Sequence, residues 1–120
     1  MGNDGLRTKS FAFAIRIVRL FQFLQGVKKE YILAKQLVRC GTSVGSMIRE
    51  AEHAESKADF IHKMAVAQKE INEVLYWLEL LIMTDYLTQE QFHSMKDDAI
   101  ETLKILTSTI KTAKHNLRAN

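Results

Sequence analysis

Two Glu-x-x-His pairs, Glu50 with His53 and Glu90 with His93, are the residues best equipped for chemistry. A carboxylate and an imidazole three residues apart share one face of a helix. Two such pairs on facing helices are two thirds of the ligand set of a di-iron carboxylate centre. The stretch "CGTSVGSMIREAE", Cys40 to Glu52, offers two further possibilities. Cys40 is the only thiol, and Gly41 and Gly45 bracket a Thr-Ser-Val core that resembles a phosphate-cradling loop. That loop requires a Gly-Lys-Ser/Thr ending, and Gly45-Ser46-Met47 lacks the lysine. Serine–histidine–acid chemistry finds no convincing arrangement, since helix surfaces rarely present such a triad.

Whether these groups can meet depends on the elements that carry them. The chain has 120 residues, 47% of them hydrophobic, no proline and five glycines. That composition suits one domain of a few long elements joined by short connections. Residues 1–9 read as a flexible polar tail, and residues 10–118 as one domain. From Ser10, Phe13, Ile17, Leu20, Leu24 and Val27 step by four and three, and Phe11, Ala14, Ile15, Val18 and Phe21 broaden the apolar face. Gly26, followed by Lys28 and Lys29, reads as the helix end. From Tyr31 to Ala54 the seam is Leu33, Leu37, Cys40, Val44, Met47, Ala51 and Ala54, unbroken through the glycines. That continuity makes "CGTSVGS" helix rather than loop. Gly41 and Gly45 then lie one turn apart, where each costs roughly 1 kcal/mol relative to alanine. The compensation is close packing against a neighbouring helix, as small-residue pairs at this spacing permit.

A third helix opens at "SKAD", with Ser56 and Asp59 as a capping box, and follows Phe60, Met64, Ala67, Ile71, Val74, Leu78 and Leu81. Its second half, "VLYWLELLIM", is apolar nearly all round. Tyr76, Trp77 and Leu80 point away from the seam and mark an expected subunit interface. Thr88 and Gln91 cap a fourth helix along Phe92, Ala99, Leu103, Leu106, Ile110, Ala113 and Leu117, interrupted by Lys96. Four seams without a strand pattern predict an all-α, antiparallel up-down-up-down four-helix bundle.

This topology puts Glu50 and His53 at the end of one helix and Glu90 and His93 at the start of another. A third helix of about 28 residues keeps the two pairs roughly 40 Å apart. A shared di-metal centre within one chain is therefore excluded, nothing points to one between subunits, and no metal or other cofactor is expected. Cys40 lies on the seam, where a core role suits it better than nucleophilic chemistry.

Charge is unevenly spread. Residues 1–49 hold nine Lys/Arg against two acids, and residues 50–120 hold eight against twelve. Lys104, Lys111, His115 and Arg118 share an outward stripe, with Lys114 beside it, and Arg16, Arg19, Lys35 and Arg39 enrich the first two helices. Two readings stand: ordinary solvated faces, or rows that neutralise nucleic-acid phosphates without reading sequence. A single cysteine fits a reducing cytosol, so a cytoplasmic protein is expected. No stretch is long and apolar enough to span a membrane, so no membrane partner is expected. Leu6 stands where a myristoylation signal needs Ser or Thr, which removes Gly2 as a lipid site.

The segment Arg39 to Leu81 resembles the central signature of bacterial four-helix bundle proteins encoded within intervening sequences of large-subunit ribosomal RNA genes. The resemblance rests on Gly41-Thr42-Ser43-Val44-Gly45, Glu50-Ala51, Ser56, Asp59-Phe60, Lys69-Glu70, Glu73 and Tyr76-Trp77-Leu78. It extends more loosely over residues 8 to 117. The accessory variability determinant of diversity-generating retroelements belongs to the same group. The resemblance implies a ring-like homopentamer without enzymatic activity. For a retroelement member it also implies binding of RNA or DNA, and of a reverse transcriptase, through basic surfaces. Met47 stands where many relatives have Asn, and Cys40 where Ser is common. Both changes make this flank more apolar and weaken a polar-cluster reading.

Overall fold

With no proline to interrupt it, the chain forms four long helices among the described residues: α1 (Asn3–Gly26), α2 (Ile32–Ala51), α3 (Lys57–Met83) and α4 (Gln89–Ala119). The structure is a computed structural model that describes residues 3–119. Met1 and Gly2, and with them the reading of Gly2, lie outside the described residues.

The first helix corrects the expected tail. It starts at Asn3, not Ser10, and Leu6 and Ser10 are buried. The reason is periodic: Leu6 lies seven residues before Phe13, so it continues the seam through a stretch that is otherwise polar. At the other end Val27 leaves the helix and is exposed. The N–H groups of Val27 and Lys28 donate to the Phe23 carbonyl, that of Glu30 donates to the Leu24 carbonyl, and Lys29 takes the left-handed conformation (φ 57°).

α2 is shorter than the Tyr31–Ala54 span expected. Glu30 starts it: its carboxylate accepts from the N–H groups of Ile32, Leu33 and Ala34 at 3.1, 3.2 and 2.8 Å. A negative group there also complements the helix dipole. The buried line is Ala34, Leu37, Cys40, Gly41, Val44, Ile48 and Ala51, which moves Leu33 and Met47 to the flank. Gly41 joins the inward face because it lies against α1, so that face is centred further round the helix than side-chain size alone suggests.

The remaining caps follow the sequence closely. Ser56 Oγ accepts from the Asp59 N–H at 3.0 Å, while the short Asp59 carboxylate reaches back to the Glu55 N–H at 3.1 Å rather than to Ser56. Thr88 and Gln91 close a reciprocal box at 2.9 and 3.1 Å. Met64, Ala67, Ile71, Val74, Leu78 and Leu81 are buried on α3, as the periodicity predicts. On α4 the seam runs instead through Met95, Ala99, Thr102, Leu106 and Ile110. Leu117 is exposed, and the Thr102 hydroxyl donates to the Asp98 carbonyl at 2.9 Å.

Cross-helix pairs give the directions. Gly41 faces Ile17 and Gly45 faces Ser10, Arg39 meets Glu70 and Glu73 while Glu50 meets Lys63, and Lys9 meets Glu101 while Arg16 meets Ser94. In each case one number rises as its partner falls, so neighbours are antiparallel. Each helix packs on the next and α4 returns to α1, where the packing is sparsest. The result is a four-helix bundle of 52 × 21 × 19 Å. Among the described residues no helix is long and apolar enough to cross a membrane.

Candidate interaction faces

The chemical candidates separate as the topology requires. Glu50 and His53 sit at the α2–α3 end, Glu90 and His93 at the opposite end, and among the described residues no three His, Cys, Asp or Glu side chains are placed to hold a metal ion. Cys40 is fully buried, its thiol is 3.5 Å from the Leu37 carbonyl, and burial pushes its pKa up to about 12. A thiol held protonated in this way is a core side chain, not a nucleophile.

The two glycines differ. A methyl group built on Gly41 would stand 2.6 Å from Ile17 Cγ2, inside any tolerable contact, so α1 approaches α2 because Gly41 has no side chain. At Gly45 the nearest atom would be the Ser10 carbonyl oxygen at 3.5 Å, an ordinary contact. Gly45 thus also lies against α1, with room for a methyl group that Gly41 lacks, and lines a groove.

The residues of the expected α3 interface differ in exposure. Tyr76 is exposed, but Trp77 is half-buried, packs on the core and meets Tyr76 edge to face at 5.0 Å. Its indole nitrogen is buried without a hydrogen-bond partner among the described residues. Leu80 is half-buried. Trp77 thus serves the α3 flank, because its large ring reaches round the helix towards the core.

A further unpartnered apolar surface is on α1. Phe11, Ile15 and Val18 are 52%, 46% and 37% exposed, at i, i+4 and i+7 on its outer face. With Ala14, Thr42, Gly45 and Ser46 they line a groove of about 510 Å³ between α1 and α2, rimmed by Arg19 and Arg49. The Arg49 guanidinium lies over the Phe11 ring, 4.9 Å from its centroid. A second groove of about 540 Å³, between α1 and α4, shares Ile15 and Arg19 and adds Leu20, Phe23 and Met95. The signal for this face was present in the sequence as a second four-and-three step, 11–15–18, beside the 13–17–20 seam. Arg49 went unremarked because its neighbour Phe11 comes from another helix.

Of the cations expected to meet nucleic acid, Arg16 and Arg39 are engaged inside the molecule. Arg16 donates to Asp98 at 3.0 Å and to Ser94 at 2.6 Å, and Arg39 donates to Glu73 at 2.7 Å with Glu70 at 3.5 Å. The hydrogen bond to Glu73 holds the Arg39 pKa above its ordinary value. Lys9 also binds Asp98, and reaches Glu101 at 2.9 Å. Partial burial pushes the Asp98 carboxyl upwards, but the hydrogen bonds and charges of Lys9 and Arg16 outweigh it and hold the pKa below the usual carboxylate value. Arg19, Lys35, Lys104, Lys111, Lys114 and Arg118 are exposed and form no ion pair among the described residues. The sequence after Glu101 contains no acid, so the exposed end of α4 is purely basic.

Comparison with known proteins agrees with this architecture. A family model described as 23S rRNA-intervening sequence protein matches residues 6–108. The solved structure of a protein of unknown function from the S23 ribosomal protein family of Bacteroides thetaiotaomicron is 51% identical, with a TM-score of 0.91. The match covers 92% of this chain and 99% of that one. No curated protein matches.

Proposed function

Because the chain belongs to the 23S rRNA-intervening sequence protein family, we propose that it is a non-enzymatic, cytoplasmic four-helix bundle that self-associates and serves as a scaffold or binding module, taking nucleic acid on its basic helix faces without reading sequence. The observation that carries self-association is the exposed Phe11–Ile15–Val18 line. An isolated monomer leaves these side chains in water, and removing the rest of their surface is worth on the order of 1 kcal/mol each. A second copy laid along α1 covers them. The ring of five implied by the family resemblance would do so in every subunit, with α1 buried on both sides.

Sedimentation at micromolar concentration tests this. The parent protein sediments as an oligomer. Ile15→Asp reduces it to a monomer of unchanged helical content, because an acid on the strip cannot be buried unpaired. A parent that is already monomeric removes the assembly reading. The nucleic-acid part is supported by the acid-free basic end of α4. Binding of mixed RNA and DNA should weaken steeply with salt, and replacing Lys104, Lys111 and Arg118 with Glu should reduce it. Salt-independent binding, or none at low salt, ends that part.

The alternative, a metal-dependent enzyme using the Glu-x-x-His pairs, requires groups that lie at opposite ends of a 52 Å molecule. Stoichiometric iron, manganese or zinc in purified protein would revive it.

A further inference from the structure

The three most exposed large hydrophobic side chains among the described residues are Ile32, Met83 and Val27, at 76%, 75% and 67%. All three lie at the end of the bundle where α1 turns into α2. Tyr31, half-exposed, stands beside them. Lys28, Lys29 and Lys35 are exposed in the same region and form no ion pair among the described residues. The one acid of the turn, Glu30, is withdrawn. Both its carboxylate oxygens accept from the first N–H groups of α2, and little of it remains exposed. Its charge is spent on the helix start, and exposed Asp85, in the α3–α4 turn at the same end, forms no ion pair with the lysines.

Lys29 adds a second, independent observation. It adopts φ 57°, a conformation in which glycine is unstrained and lysine is not. The other positive-φ residue that is not glycine, Asp85, is of a type that tolerates this region. Here a lysine stands where glycine would stabilise the turn, which indicates a use for the ammonium.

We propose that the α1–α2 turn, through Lys28, Lys29, Lys35 and Tyr31, is a docking tip for single-stranded nucleic acid. This rests on the nucleic-acid part of the reading above and assigns it a place other than the α4 stripe. Lys28 and Lys29 follow Val27 and precede Tyr31 and Ile32, so the turn sets cations beside flat and apolar side chains. A single strand offers both phosphates and unstacked base faces. A duplex offers phosphates alone and would leave the apolar side chains in water. An anionic bilayer would take the lysines and the aliphatic side chains but offers no base face to stack on Tyr31. A second copy docked tip to tip would set lysine against lysine.

The test uses the full chain with oligothymidylate and oligouridylate, the matching duplexes, and phosphatidylserine vesicles. The single strands are expected to bind more tightly than the duplexes. Lys29→Gly should melt no lower than the parent while its affinity drops, with a log–log salt slope shallower by about 0.7. Tyr31→Ala should lose about fivefold or more in affinity. If both variants bind as the parent does while the Lys104, Lys111, Arg118 triple variant loses binding, the tip is acquitted and the nucleic-acid reading survives on α4. If the parent binds no strand at low salt, the reading itself fails. Equal affinity for duplex, or vesicle binding without strand binding, overturns the choice of ligand.

Discussion

α1 is held to its two neighbours by opposite means. Against α2 the contact is apolar and close, made possible where Gly41 admits Ile17. Against α4 the packing is sparsest and polar: Lys9 and Arg16 converge on Asp98, with Ser94 and Glu101 at the margins. Close packing has a steep distance dependence and tolerates no added atom, whereas a partly exposed ion network is soft, screened and replaceable by water. One helix edge is therefore rigid and the other yielding, and the exposed Phe11–Ile15–Val18 line lies between them.

The largest effect that would break this contrast is at Gly41. Gly41→Ala puts a carbon 2.6 Å from a branch atom of fully buried Ile17, so chemical denaturation should show a loss of about 1–3 kcal/mol. A variant as stable as the parent would mean that the α1–α2 edge is as soft as the other. Next comes Asp98→Asn, which removes the shared acceptor of Lys9 and Arg16 and should cost about 1 kcal/mol by the same measurement. Added salt should narrow that difference. A smaller change of opposite sign is expected at Gly45, where a methyl meets only ordinary contact with Ser10. Gly45→Ala should gain up to about 1 kcal/mol from helix propensity.

The smallest effect is in pH. The Asp98 carboxyl is depressed in the folded state. Its contribution is therefore fully present above its unfolded value near 3.9, and is lost as pH falls through the lower folded value. Melting temperature should fall more steeply in acid for the parent than for Asp98→Asn. Parallel curves would show that the Asp98 network contributes nothing.

The success of sequence reasoning varied with how local the cause was. The Thr88–Gln91 box and the α3 seam from Met64 to Leu81 depend on residues within a turn or two of one another, and both could be read directly. Leu6 was missed because a lone apolar residue among polar ones carries little periodic signal until the rest of the seam is extended back to it. Met47 and Phe92 were placed in the core from size and spacing, but the inward direction of a helix is set by which neighbour approaches it. Trp77 looked outward by position, yet its ring is long enough to lean back onto the core. For the faces, the sequence showed where cations lie but not which are occupied: Arg16 and Arg39 look as free as Arg19 and Lys35 until α4 and α3 bring Asp98 and Glu73 to them.

By itself the amino-acid order determined four helices, their antiparallel order, the separation of the two Glu-x-x-His pairs and the continuity of α2 through its glycines. These follow from backbone geometry, short connections and a repeating apolar step, all of which act along the chain. Only the tertiary structure decided that Gly41 and not Gly45 makes the close crossing, that Arg16 and Arg39 are consumed by internal pairs, and that an unpartnered apolar line runs along α1. Each of these depends on the distance between side chains remote in sequence, and packing and Coulomb interactions are set by that distance.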